Sequence, residues 1–217
     1  MKKIFLGILL LLCAALCACA PREKVVIILS TNDIHAQIQN FPQLATAVAE
    51  CRDTASVILV DAGDRWTGNA YVDQAEGRRP VLELMNELGY DVATLGNHEF
   101  DYGYAQLAEN MKAAKFKVLC ADVLGADGKT IFDANTIIEK GGVKIGFFGL
   151  ETPEAQTKAN PALIKGLKFD TDLKAVAEKQ LEALKDDDVV IALSHLGVDD
   201  SSKPYTSYDL YLSLIHI

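Results

Sequence analysis

The sequence predicts a layered α/β fold, and three observations predict it. Apolar runs alternate with amphipathic stretches along most of the 217 residues. The apolar runs are continuous, which marks strands buried on both faces, and strands alternating with helices form βαβ units. Four runs end in short turns carrying Asp, Asn or His, and in an open α/β sheet the turns at the carboxyl ends of strands share the edge where ligand sites form.

Taken in order, residues 25–29 form an apolar run ending in Ser30-Thr31-Asn32-Asp33. Residues 42–52 have helical spacing, with Leu44, Val48 and Cys51 on one face. Residues 57–60 are a second apolar run, ending in Asp61-Ala62-Gly63-Asp64. Residues 80–88 read as a helix opened by Pro80, which is tolerated at a first helical position. A strand at 91–95 ends in Gly96-Asn97-His98, and a helix at 104–114 and a strand at 116–120 follow. Residues 136–140 and 143–150 form a hairpin around Gly141-Gly142. A long helix at 172–185 precedes a strand at 188–193, which ends in Ser194-His195-Leu196-Gly197. The length suits one sizeable domain or one and a half, no internal repeat is present, and no stretch is rich enough in Pro, Ser or Gln to read as disordered.

The first twenty residues stand apart. Met1-Lys2-Lys3 is a basic start, residues 4–12 are an apolar core, and small residues follow to Cys19. This is the pattern of a secretory signal peptide, assigned to residues 1–18, with a tether at 19–23. Leu16-Cys17-Ala18-Cys19 resembles a lipobox, with Cys19 as the lipidated residue; Cys17 fits worse because Leu16 would sit at the cleavage point, where a small residue is wanted. The alternative, a membrane-spanning anchor, has only residues 4–20 to work with and Pro21 at its end. The expectation is an exported lipoprotein held to a membrane by its lipid and facing outward. Ala20 after Cys19 carries no inner-membrane retention signal of the usual Asp type, so an outer membrane is favoured where the cell has one.

The formal charge is −9, and removal of the signal peptide makes it more negative by two lysines. Such a chain repels nucleic acid polymers and anionic surfaces, so a phosphate substrate must be captured locally, by metals or helix N-termini. Of five cysteines, three lie in the signal region; Cys51 and Cys120 define no disulfide framework, and Cys120 reads as a buried thiol in a strand.

Three of the four histidines, His35, His98 and His195, fall in strand-end turns. Mixed His, Asp and Asn ligands suit Mn, Zn, Fe or Co. In Asp33-Ile34-His35, residues two apart in an extended segment point the same way, so one metal could accept both side chains; a capping Asp beside a surface His is the bland alternative. In Asp61-Ala62-Gly63-Asp64 a carboxylate could bridge two cations, one per oxygen, although an Asp-Gly turn is commonly only a turn. In Gly96-Asn97-His98-Glu99-Phe100-Asp101, Asn97 offers a neutral oxygen to a second metal, His98 could donate a proton or stabilise charge, and Asp101 could orient the His98 ring. The alternative there is a helix start capped by Asn97. His195 is a further candidate ligand for the second metal.

Asp-x-His, Gly-Asp and Gly-Asn-His-Glu in this order, each after a strand, resemble the calcineurin-like metallophosphoesterase superfamily. The surrounding wording, Ser30-Thr31-Asn32-Asp33-Ile34-His35, Gly96-Asn97-His98-Glu99-Phe100-Asp101-Tyr102-Gly103, Ser194-His195-Leu196-Gly197 and 145–153, is similar to the 5′-nucleotidase family. The resemblance covers nearly all of residues 24–210 and implies a layered α-β-β-α sandwich holding two divalent metals. It implies that Asp33 and His35 bind the first metal, Asp64 bridges, Asn97 and His195 bind the second, and His98, paired with Asp101, stabilises the transition state. It also implies a small-molecule phosphate ester as substrate, foremost a nucleoside monophosphate, with a 2′,3′-cyclic nucleotide or UDP-sugar as alternatives on the same core. A non-enzymatic surface lipoprotein is the rival from another class; it gives no reason to keep Asp33, His35, Asp64, Asn97, His98 and Asp101 together. Glu99 and Asp61 read as structural, and Arg65-Trp66-Thr67-Gly68-Asn69 departs from the common family wording and is expected at the substrate mouth.

The family's Gly-His-x-His turn and its C-terminal nucleoside-gripping domain do not occur in this sequence. Residues 212–217, including His216, resemble translated sequencing-adapter read-through. The expectation is that 24–211 is a truncated N-terminal metallophosphoesterase domain, incomplete at its C-terminal end, short of one ligand per metal and weakly active or inactive as it stands.

Overall fold

Val/Ile-rich strands form the centre, because β-branched side chains suit a pleated, packed surface. A computed structural model describes residues 25–214. The signal region, Cys19 and His216 lie outside the described residues. β1 (Val26–Thr31) and β2 (Ser56–Asp61) pair in parallel from Val26 opposite Ser56 to Thr31 opposite Asp61. β3 (Val92–Ala93) and β4 (Lys117–Val118) extend this sheet in the order β1-β2-β3-β4. α1 (Phe41–Arg52), the short α2 (Ala70–Gln74), α3 (Pro80–Leu88) and α4 (Tyr104–Met111) lie between these strands in sequence. β5 (Val123–Leu124) pairs with β8 (Lys168–Phe169) as a small separate ladder. The second main sheet has the order β6-β7-β9, from β6 (Asn135–Lys140), β7 (Val143–Glu151) and β9 (Val189–His195). The short α5 (Ala155–Lys158) follows β7, α6 (Leu173–Ala183) precedes β9, and α7 (Ser207–Leu214) follows it.

Side chains alternate between faces along each strand, and this alternation builds the layers. Ile58 and Val60 of β2 meet Ile145 and Phe147 of β7 and Leu193 of β9 in the interior between the two sheets. Leu59, between Ile58 and Val60, points the other way, into a core with Val48, Leu82, Met85 and Leu107 from α1, α3 and α4. Phe148 and Leu150 of β7 pack against Leu173 and Ala177 of α6 and Leu210 of α7. The result is the expected α-β-β-α arrangement. Each fully buried Leu, Ile or Phe contributes about 1.5–3 kcal/mol by leaving water.

The hairpin at Gly141-Gly142 forms as expected: both glycines have positive φ (61° and 75°), the geometry of a type I′ turn. Several boundaries differ. The strand expected at 91–95 keeps only Val92–Ala93 in the ladder, because Thr94 turns its hydroxyl onto the Leu119 carbonyl and the chain then leaves the sheet toward Asp64. The strand expected at 116–120 shrinks to Lys117–Val118, and the helix expected at 104–114 ends at Met111. His195 is the last strand residue of β9 rather than a turn residue. Cys51 and Cys120 are free thiols, and Cys120 is buried as expected. No helix among the described residues is long and apolar enough to cross a membrane.

Candidate metal centre at the strand ends

The first two turns are zipped together by main-chain hydrogen bonds that prolong the β1–β2 ladder. Asp33 N donates to Gly63 O at 3.1 Å, His35 N to Asp64 O at 3.0 Å and Ala36 N to Arg65 O at 2.9 Å. The expectation that Asp33 and His35 converge because they are two apart in an extended segment is corrected here. Both are left-handed, at φ 52° and 44°, and so are Ala36 and Asp64 at 56° each. A non-glycine residue in this region costs on the order of 1–2 kcal/mol, and such residues persist where the surroundings over-determine them, as at functional sites. Asp33 and His35 still meet, with His35 Nε2 3.4 Å from Asp33 Oδ1.

The third turn is wedged against the second. Asn97–Phe100 is a 3-10 turn beginning immediately after Gly96. A Cβ on Gly63 would lie 2.6 Å from main-chain atoms of Leu95 and Gly96, and a Cβ on Gly96 would lie 2.6 Å from Asp64 N. Only glycine fits at either point. Gly63→Ala, also strained at φ 99°, is expected to destabilise the metal-free chain by roughly 1–3 kcal/mol. Thermal melts in EDTA should then fall by about 2–12 °C; an unchanged melting temperature would contradict the interlock.

These contacts bring Asp33, His35, Asp64, His98 and His195 together. One donor atom each from His35, Asp64 and His98 lie within 4.8 Å of one another, and so do donor atoms of Asp33, Asp64 and His195. Asp64 belongs to both groups. Its Oδ2 is 3.2 Å from His195 Nε2 and 3.8 Å from His35 Nε2, and its Oδ1 accepts from His98 N at 2.8 Å. The Asp64 and His195 side chains are only 4% and 11% exposed and form the floor, whereas Asp33 at 48% and His98 at 39% form an open rim. Asn97 is half-buried as the first residue of its turn; the N-cap position is Gly96, and Glu99 supplies the side-chain bond there, so Asn97 is not the cap. Asp101 Oδ2 is 2.7 Å from His98 Nδ1. The His98 ring also meets the His35 ring edge-on at 5.0 Å.

The donor set fits divalent metals. His195 Nδ1 lies 3.0 Å from the Ala62 carbonyl, which can only accept, so Nδ1 carries the proton and Nε2 faces Asp64. An imidazole held by its second nitrogen on a backbone carbonyl is the usual outer-shell arrangement of a metal-ligating histidine. Burial opposes charge on His195, but the hydrogen bond and charge of Asp64, with the charge of Glu99, outweigh it and push the pKa up to about 9. For Asp64 burial raises the pKa, but the His195 hydrogen bond and charge, then His98, bring it below the usual carboxylate value. Burial likewise works against His98, and its hydrogen bond to Asp101 and the charges of Asp64 and Asp101 raise its pKa on balance.

A pH dependence follows for the metal-free chain. A histidine whose folded pKa lies above its unfolded value stabilises fully below about pH 6.5, and the contribution fades as pH rises through the folded pKa. His195 is therefore expected to contribute on the order of 3 kcal/mol near pH 6, most of it gone by pH 10. Urea denaturation in EDTA should show this fall in the wild type and not in His195→Gln; parallel curves would contradict it.

Two buried acids and one buried cation complete the surroundings. Glu99 Oε2 accepts from Asp64 N at 2.9 Å and from Gly96 N, and Oε1 accepts from Arg65 N at 2.9 Å, consistent with a structural role. Glu151, at the end of β7 opposite His195, is fully buried with neither carboxylate oxygen partnered. Burial, then the charges of Asp122, Glu99 and Asp64, hold its pKa well above the usual carboxylate range. Arg65 and Trp66 are interior residues, at 0% and 3% exposure, which corrects the expectation that they line the substrate mouth. Asn69 instead caps α2 through Tyr71 N and ties it to the Ala36 carbonyl.

The family model described as calcineurin-like phosphoesterase matches residues 27–216, a span that carries every donor above and all the strands but the first residue of β1. The chain belongs to the calcineurin-like phosphoesterase family. Among calcineurin-like phosphoesterases and their relatives, a 5′-nucleotidase of Vibrio cholerae is 33% identical over 204 residues, covering 83% of this chain and 36% of that protein. A 2′,3′-cyclic-nucleotide 2′-phosphodiesterase/3′-nucleotidase of Haemophilus influenzae is 29% identical over 213 residues, covering 82% of this chain and 32% of that protein. The crystal structure of the calcineurin-like phosphoesterase YfkN from Bacillus subtilis superposes with a TM-score of 0.72 at 29% identity, covering 84% of this chain and 66% of that one. The chain spans about a third of the length of these two curated relatives.

Proposed function

We propose that the protein is a two-metal phosphoester hydrolase that releases phosphate from nucleoside monophosphates. The observation that carries this reading is Asp64, whose carboxylate belongs to both donor groups. Asp33, His35, Asp64 and His195 would hold the metals, with Asn97 as a neutral oxygen donor. Bound divalent metals, Mn, Zn, Fe or Co by the chemistry of the set, would polarise the phosphoryl oxygens and lower the pKa of an attacking water. His98 faces the open rim and, kept charged by Asp101, stabilises negative charge that develops on the phosphoryl group. The partly exposed rim gives a small anionic ester access, while the acidic chain disfavours polymeric nucleic acid.

Hydrolysis of AMP and of 2′,3′-cyclic AMP by the protein as the cell makes it, after EDTA treatment and Mn²⁺ addition, tests the reading. Mn²⁺-dependent phosphate release from AMP is expected. Preference for the cyclic ester would favour the phosphodiesterase alternative, which the Haemophilus influenzae relative suggests by its name. Less than one transition metal bound per chain, without turnover, would leave a binding module.

We also propose that Cys19 carries the lipid that tethers the protein to the outer face of a membrane, on the strength of the signal and lipobox patterns. Incorporation of labelled palmitate that persists in Cys19→Ser would reject it.

A further inference from the structure

Beneath the metal-facing donors lies a buried polar layer centred on Arg65, whose side chain is fully buried. Its Nε is 3.0 Å from Asp61 Oδ1 and 3.9 Å from Glu99 Oε1, and its Nη2 donates to the Thr94 carbonyl. These acceptors belong to different segments: Asp61 ends β2, Thr94 follows β3, and Glu99 lies in the 3-10 turn. Asp61 carries the connection further, because its Oδ2 accepts from Thr31 Oγ1 at 2.7 Å, at the end of β1. Glu99 returns it to the donors, because it accepts from the main-chain nitrogens of Asp64, Arg65 and Gly96. One guanidinium therefore touches, directly or through one carboxylate, the turns that carry Asp33 and His35, Asp64, and Asn97 and His98. A purely stabilising role is a poor explanation. Buried ion pairs are often replaceable by apolar groups without loss of stability, so stability alone does not call for a cation there.

We propose that Arg65 is a positioning residue for the metal centre: its planar fork, acting through Asp61, Glu99 and the Thr94 carbonyl, holds the three donor-bearing turns in mutual register. The inference rests on the metal-site reading above. Arg65 reaches neither metal nor substrate, and its effect passes through the placement of Asp64. The fork matters as well as the charge, because an ammonium is a point donor and does not reproduce the separate Nε and Nη2 bonds to Asp61 and to the Thr94 carbonyl.

The test uses the protein as the cell makes it, with Mn²⁺ as the probe, Kd read by EPR titration, and folding read by circular dichroism and by thermal melts in EDTA. Two variants are needed. Arg65→Lys keeps the charge and removes the fork. Arg65→Met combined with Asp61→Asn removes both charges, so that no carboxylate at 61 is left buried without its cation. The double variant is expected to fold and to bind Mn²⁺ about 10- to 100-fold more weakly than wild type, the usual penalty for losing an outer-shell partner. Arg65→Lys is expected to fall between the two. A folded double variant or folded Arg65→Lys with wild-type Kd would overturn the positioning role. Unfolding of both variants would assign Arg65 to the fold itself and overturn it too. A wild-type chain that bound no Mn²⁺ would instead overturn the metal reading, and this inference with it. Wild-type binding together with unaltered variants would remove the inference alone.

Discussion

On the proposed two-metal reading, Asp64→Asn in the protein as the cell makes it is expected to reduce Mn²⁺ binding from about two ions per chain to about one or fewer, and to lower phosphoester hydrolysis by about 10³-fold or more. Asp64 directs one oxygen at the His98 main-chain N–H and the other at His195 and His35. An amide has only one oxygen. If that oxygen keeps the bond to His98 N, the NH₂ group faces the two imidazoles, where it cannot ligate. If the amide is reversed, NH₂ meets N–H and the third turn loses its anchor. The substitution changes shape very little, so loss of metal through general unfolding is not expected. Isothermal titration with Mn²⁺ and circular dichroism in EDTA separate the two. Two Mn²⁺ ions bound with near wild-type affinity by the folded variant would remove Asp64 from its bridging role.

The strands that proved legible were those built from apolar runs. β1, β2, β7 and β9 lie within two residues of their expected positions, because such runs, rich in Val, Ile and Leu in β1, β2 and β9 and carried by Phe147, Phe148 and Leu150 in β7, serve a strand packed between layers. β3 and β4 were overestimated. Apolarity continues through Leu95 and Cys120, but there it serves the core while the backbone leaves the ladder. The site was legible because parallel strands of an α/β sheet present their carboxyl ends at one edge, so Asp33, Asp64 and His98 had to converge once the strands were placed.

What stayed hidden was the layer below and the backbone that shapes it. Arginine is among the residues least often buried, and nothing in the 65–69 segment, expected at the substrate mouth, marks Arg65 as interior. Its pairing with Asp61, four positions back, only becomes visible when β2 ends and the chain turns inward. Glu151 is a similar case: the apolar run before it was plain, but nothing in the sequence marks an acid that ends in the interior with neither oxygen partnered. The left-handed Asp33 and His35 left only a weak signal, because Asp and His enter that region more often than most side chains but still in a small minority of positions. For that reason the meeting of these two side chains was expected from the wrong geometric cause.

His98→Ala is expected to lower turnover by about 10²–10⁴-fold while leaving Mn²⁺ affinity close to wild type. The prediction separates two roles that the geometry allows. His98 lies in a donor group with His35 and Asp64, yet its Nδ1 is occupied by Asp101 at 2.7 Å, and its ring stands at the exposed rim. A ligand would lose metal on truncation; a charge stabiliser would lose rate and keep metal. Asp101→Asn tests the second role without removing the ring. Burial works against the charged imidazole, and the Asp101 hydrogen bond and the charges of Asp64 and Asp101 raise its pKa in compensation. Removing the Asp101 charge lowers that pKa, so the cationic form is lost at lower pH. Bound metal cations lower the pKa in both proteins, which makes the difference between them the quantity to read. The alkaline limb of kcat/KM is therefore expected to move toward acid in Asp101→Asn, with little change in Mn²⁺ affinity. Coincident profiles would mean that Asp101 does not govern the protonation of His98. A His98→Ala chain that has lost Mn²⁺ would make His98 a ligand, and the charge-stabilising role would then fall to another group at the rim.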